Sequence, residues 1–396
     1  MTRTTTCQPD VSDSLGCRFL PVGAAGENTF RHWLAADVRA ARLSPAFRAY
    51  YLLRSLIPRT VRQWLQRSRR VETSPRWYFP DAFARALGEE VGSLADGLTT
   101  IHPWPDAADF ALVLTHDVET AEGGQGVAKI ADLEEELGFR SSWNFVPYKY
   151  RVDRGLVRDL TSRGFEIGVH GYNHDGRLFS SRAVFDSRVP PIQAALESWG
   201  AVGFRAPMVQ RNLAWLQSLD ILYDASCFDV DPYQAMPGGV GGVWPFIVGR
   251  FVELPYTLPQ DHTLFIALDE RDEQIWLRKL DYLIRLRGMA LMLTHPDYLD
   301  SEDRIAAYRR FLCRARDVAG MWHALPKETA EWWRMRDKSS LRQDLDGNWR
   351  IEGPASGRAR AATLRSVEVS SDRSDDSPPL ALEWRELATK PKCLIA

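Results

Sequence analysis

Between about residues 108 and 335, short apolar runs alternate with helical stretches, and this alternation constrains the fold more than any other feature of the chain. FALVLTH precedes the helix-like VAKIADLEEELG. RSSWNFV precedes LVRDLTSRG, which leads into FEIGVH. IQAALESWG is followed by VGFRAP, NLAWLQSLD by ILYDAS, and EQIWLRKLDYLIRLRG by MALMLTH. Strands alternating with helices predict a parallel sheet of βα units. About seven units in roughly 230 residues suit a closed barrel, with an open sheet as the alternative. The expected organisation is a (β/α) barrel over 105–335, preceded by an N-terminal extension over 1–100 that is mostly helical from about 36. Residues 336–396 form a small β hairpin region and tail: LRQDLDGNWRIEG predicts a hairpin around Asp346-Gly347, and ARAATLRSVEV a further strand.

The rest of the composition narrows the class of protein. At 396 residues with 45% hydrophobic and 26% charged residues, the chain reads as a soluble globular protein, and a net charge of -2 gives no reason to expect nucleic acid as a partner. Five Cys without a CxxC pair speak against a disulfide framework or a thiolate zinc site. The first 23 residues lack an apolar h-region, and no stretch of about 18 apolar residues occurs, so a cytoplasmic enzyme is expected. Between Val38 and Val71 there are nine Arg and no acid, with Pro58 expected to divide two helices. Basic helices over 39–70 suit packing on the protein with solvated arginines, or peripheral contact with an anionic membrane.

The chemistry collects at the strand ends, where βα barrels build their sites. Five junctions carry Asp117 with Glu119, His170 with His174, Arg205, Asp224 and His295. Residues i and i+2 on a strand share a side, so Asp117 and Glu119 can face one spot, where two carboxylates repel unless a cation or proton lies between them. His170 and His174 can reach one ion from a compact loop. With eight His in the chain, chance gives about 0.16 HxxxH pairs, so this pair is informative where an acid-x-acid pair alone is not.

In order, THDVE, HGYNH, FRAP, YDAS and LTHPDY resemble the five motifs of the polysaccharide deacetylase (NodB-homology) family of metal-dependent carbohydrate esterases. The resemblance covers about residues 110 to 300. It implies a distorted (β/α) barrel of about seven strands that removes acetyl groups from N-acetylated sugars with a divalent metal, commonly zinc. Position by position, it implies Asp117 as the base, Glu119, His170 and His174 as metal ligands, and Arg205 as the residue holding the base. His295 becomes the acid for the leaving amine, Asp224 its charged partner, and Pro207 a substrate contact. The family's usual TFDD stands here as THDVE, like a D-x-D subset, but with Glu119 in place of an Asp. The reverse assignment, Asp117 on the metal and Glu119 as base, stays open. His116 should face away from the site.

The stretch DVDPYQAMPGGVGGVWPF is expected to loop over the pocket mouth, with Trp244 and Phe246 available to stack on sugar. Asp261 and His262 are candidates for the pocket wall or for a loop role without chemistry. The expected activity is metal-dependent hydrolysis of an N-acetyl group from an amino sugar in a polysaccharide or its lipid- or nucleotide-linked precursor. The alternatives are a hydrolase of another small amide, such as a formamido sugar or ring amide, and a non-catalytic glycan-binding barrel.

Overall fold

In the computed structural model, the structure describes residues 15–20, 26–42, 73–367 and 382–387, with the single positions 44, 45, 47, 57, 61 and 71. The expected basic helices of 39–70 therefore lie almost wholly outside the described residues. The helix that is described begins nine residues earlier than expected, at Glu27–Ala40, with Glu27 favourably placed in its first turn. Its buried face carries Phe30, Leu34 and Asp37. Asp37 forms a buried ion pair with Arg211, whose Nε donates to Asp37 Oδ2 at 2.8 Å.

Seven parallel strands make the barrel: β1 (Phe110–Val118), β2 (Ser142–Phe145), β3 (Glu166–His170), β4 (Gly203–Arg205), β5 (Tyr223–Asp224), β6 (Phe251–Glu253) and β7 (Met289–Thr294). Parallel ladders join β1 through β6 in order, and β7 pairs with the other edge of β1. Between β6 and β7 there is no ladder. The amides of Thr257 and Leu258 instead donate to the Leu291 carbonyl at 3.1 Å, and Thr257 Oγ1 donates to Met289 O at 2.6 Å. The sheet is thus a curled, distorted barrel, bridged at this seam by side-chain and loop hydrogen bonds rather than by a ladder. An antiparallel strand, Phe246–Val248, lies beside β6, and Met321–His323 runs parallel to the start of β1.

Strand β1 is buried along all nine residues, which accounts for its continuous apolar run. Four of the helices that follow strands begin on side-chain caps that the sequence supplies: Thr120, Asp153, Ser181 and Ser301 each accept a backbone N–H of the first turn. Helix Arg182–Trp199 ends where Gly200 takes φ 61, a left-handed cap open to glycine.

The hairpin around Asp346-Gly347 is present as Ser340–Gln343 and Trp349–Glu352. Ala361–Ser366 adds a strand whose partners are Leu98–Ile101 on one edge and Leu382–Glu386 on the other. Segments before and after the barrel therefore share one antiparallel sheet. Indole N–H groups pin this end of the molecule: Trp104 and Trp244 donate to Arg287 O at 2.8 and 2.7 Å, and Trp384 to Leu286 O at 3.1 Å. Among the described residues, no helix is long and apolar enough to cross a membrane.

Candidate metal centre

Strand register brings the chemistry-bearing residues to one end of the barrel. Asp117 is opposite Asn144, His170 opposite Arg205, and Asp224 opposite Glu253. Each lies at or near the C-terminal end of its strand, and His295 follows the last residue of β7.

Glu119, His170 and His174 form a cluster whose ligand atoms lie within 4.8 Å of one another. Bonds of about 2.0–2.2 Å from one ion nearly span that distance. His170 Nδ1 is 3.1 Å from the Arg205 carbonyl, which makes it the donor and leaves Nε2 as a lone-pair nitrogen. That Nε2 is buried without a hydrogen-bond partner. A buried, unsatisfied nitrogen costs free energy that a coordinated cation would offset, so the donor set fits a divalent metal. Burial lowers the His170 pKa to about 4, the Asp117 charge opposing it, so the ring is neutral at pH 7 and able to ligate. His174 Nε2 is 2.8 Å from Glu119 Oε1. The residue takes φ 59, a conformation uncommon for a non-glycine residue and often found at functional sites.

Asp117 stands beside this cluster rather than in it. Its Oδ1 accepts from Asn144 Nδ2 at 2.9 Å and from Arg205 Nη1 at 3.1 Å, and its Oδ2 is 3.5 Å from His170 Nδ1. Burial alone would raise this carboxyl. The His170 charge, present only when that ring is protonated at acid pH, the charges of Arg205 and His295 and the Asn144 hydrogen bond outweigh it and hold the group below its ordinary value. Arg205 is itself fixed by Ala225 O at 2.7 Å and Thr115 Oγ1 at 2.9 Å.

His295 completes the arrangement, with a different partner from the one expected. Asp261 holds it twice: Oδ2 accepts the backbone N–H at 2.6 Å and Oδ1 lies 2.8 Å from Nδ1. His295 Nε2 then faces Glu119 Oε1 at 4.0 Å. Burial disfavours the imidazolium, but the Asp261 charge and hydrogen bond, helped by Glu119 and Asp117, push its pKa up to about 9. Asp224 lies too deep for the role. It is buried against Glu253 on β6 and accepts from Ser226 Oγ at 2.7 Å. Burial and the Asp224 charge push the Glu253 carboxyl well above its ordinary range.

Three other expectations change. Trp244 does not reach the site: it is buried against Phe19, and its indole bonds to Arg287 just before β7. His295 follows the opposite end of that strand, about 20 Å away at roughly 3.3 Å per residue. Phe246 is buried too, and of the glycine-rich stretch before it residues 240–245 are buried while Pro237 and Gly238 are exposed. Pro207 is buried, with its ring so close to Gly171 of the HGYNH loop that a Cβ there would come within 2.3 Å. Its position is one of packing. His262 is half-buried beside Tyr298, whose ring also meets His295, and so stays near the pocket. His116 faces outward as expected, stacked on Trp143 and bonded to Glu134 at 2.7 Å and Thr294 Oγ1 at 2.7 Å.

No protein-family model matches the chain, and no curated protein matches it. Solved structures do. A candidate polysaccharide deacetylase from Mycobacterium smegmatis superposes with a TM-score of 0.50 at 21% identity, covering 59% of this chain and 93% of that one. Puue allantoinase gives 0.48 at 17%, over 59% and 93%. A candidate polysaccharide deacetylase from Pseudomonas aeruginosa PAO1 gives 0.47 at 19%, over 59% and 94%. At these identities the likeness is one of fold. The chain has the barrel fold of the NodB-homology polysaccharide deacetylases, the family that its five motifs resemble.

Proposed function

We propose that this protein hydrolyses the N-acetyl group of an amino sugar in a polysaccharide or its lipid- or nucleotide-linked precursor. Glu119, His170 and His174 would hold a divalent cation, zinc before others. The observation that carries the reading is the buried, partnerless Nε2 of His170 beside Glu119 and His174, flanked by an Asp117 held ionised and a His295 held protonated. When bound, the cation supplies Lewis acidity, lowering the pKa of water and polarising a carbonyl.

The side chains divide the remaining work. Arg205 and Asn144 occupy Oδ1 of Asp117, so Oδ2 is the oxygen that takes the proton from the attacking water. His295 holds its Nδ1 toward Asp261, so Nε2 delivers a proton to the leaving nitrogen. His262 and Tyr298 border this end of the pocket and are candidates to touch the sugar.

The test combines metal analysis of the purified protein with acetate release from N-acetylglucosamine oligosaccharides, before and after chelation and reloading. One bound divalent ion per chain and metal-restored acetate release support the reading. A protein that binds no divalent ion at neutral pH, or that releases no acetate when loaded, rules it out.

A further inference from the structure

A groove of about 1000 Å³ lies between the loop at 147–153, the start of helix Arg154–Ser162, and the C-terminal half of helix Arg182–Trp199. Two of its lining residues are bonded to segments that carry the candidate metal centre. Tyr150, on its wall, donates its hydroxyl to Val118 O at 2.5 Å, between Asp117 and Glu119 in the chain. The amide of Tyr148, also on its wall, donates to the Tyr172 carbonyl in the HGYNH loop at 3.1 Å.

The charge in this groove is unbalanced. Arg151, Arg154 and Arg158 line it against a single acid, Asp153, whose Oδ1 caps the helix by accepting from Gly155 N at 2.7 Å. Nearby arginines are paired with acids: Arg163 with Asp132, Glu135 and Asp159, Arg140 with Glu135, and Arg188 with Asp175. Among the described residues, no ion pair engages the three in the groove. Arg154 and Arg158 are also spaced i,i+4, where like charges repel, and Arg151 and Arg154 sit at a helix N-terminus, where the dipole disfavours cations. Three exposed cations held together against repulsion and dipole make a positive field that an anion would relieve. Tyr148, 47% exposed, and Trp199 line the same groove and offer faces for sugar rings.

We propose that this groove binds the anionic part of an extended substrate, a glycan whose units next to the acetylated sugar carry carboxylate or phosphate. The proposal rests on the deacetylase reading and adds the charge class of its substrate. Three probes test it on the full chain: a neutral N-acetylglucosamine pentasaccharide, a hyaluronan hexasaccharide bearing glucuronate, and UDP-N-acetylglucosamine bearing a diphosphate. At low salt at least one acidic probe should bind about tenfold more tightly than the neutral one, with the advantage shrinking at high salt. Arg154→Ala/Arg158→Ala should abolish the advantage and leave the neutral probe's affinity as it was. Arg151→Ala/Arg158→Ala is the second variant, should the first fail to fold. A preference for the hexasaccharide assigns the anion to uronate and one for the nucleotide sugar assigns it to diphosphate; either upholds the groove. Equal affinity for all three probes, or an advantage that survives in a folded double variant, overturns it. Acetate release from the neutral pentasaccharide is read separately. Its absence beside an intact acidic preference would count against deacetylation and not against anion binding.

Discussion

Asp261 fixes His295 through both carboxylate oxygens, and it is fully buried. Asp261→Asn keeps the shape and removes the charge that sustains the imidazolium. The expected outcome is a fall in kcat of roughly 10²-fold or more, with metal content and KM little changed, read by steady-state kinetics and metal analysis of the same preparation. His170→Ala should act differently. It should cut metal affinity by at least about 100-fold, and activity with it, which competition with a metal-sensitive dye would measure. A variant that keeps its metal would remove His170 from the ligand set. Asp117, Glu119, His170, His174, Arg205 and His295 were legible in the sequence because each stands at a strand end within a motif. Asp261 was legible only as a candidate for the pocket wall, not as the partner of His295, because it sits on the irregular connection between β6 and β7, where no periodicity says which side chain turns inward. Trp244 misled for a related reason: an aromatic residue's type does not reveal which end of a barrel it faces.

At the scale of elements, β3 matters through a residue without a side chain. Gly168 is paired directly with Asn144, and a Cβ at 168 would come within 1.9 Å of Asn144 Oδ1. Asn144 is the residue that donates to Asp117. Gly168→Ala should therefore displace Asn144 and lower kcat by about tenfold or more, while the metal stays bound. Unchanged kcat in a folded Gly168→Ala protein would mean that the Asn144 contact does not position the base. Six of the seven strands were legible because apolar runs and helical stretches alternate so regularly, even though β5 has only two residues; β6 was not, because among the described residues no α-helix separates it from β5. The early start of helix Glu27–Ala40 was not, because its buried stripe of Phe30 and Leu34 includes a buried acid, Asp37. The distant Arg211, together with the Gly239 backbone N–H at 2.6 Å, makes that acid tolerable. Asp37→Ala would strand a buried guanidinium and should cost about 3–5 kcal/mol in denaturant unfolding.

Across the whole molecule, stability should depend on a carboxyl far from the chemistry. Glu166, at the start of β3, accepts from Tyr223 OH at 2.8 Å and from the Lys327 amide at 3.0 Å. Burial pushes its pKa from 4.5 up to about 7, against those hydrogen bonds and the Lys327 charge. The folded chain thus holds a proton there that the unfolded chain has released. This contribution is fully present below pH 4.5 and is lost as the pH rises through about 7. The gap is worth about 3 kcal/mol. Glu166→Gln cannot titrate, so its Tm relative to the parent should improve between about pH 5 and pH 8. A constant difference across that range would contradict the assignment. The antiparallel sheet that joins the two ends has a consequence for how the molecule is born. Leu98–Ile101 leaves the ribosome roughly 260 residues ahead of Ala361–Ser366, its partner. Throughout that interval the nascent chain carries a bare strand edge while the barrel above it can already close. Chains whose translation stalls in between would emerge with every catalytic candidate in place and a sticky seam, natural clients for chaperones and proteases.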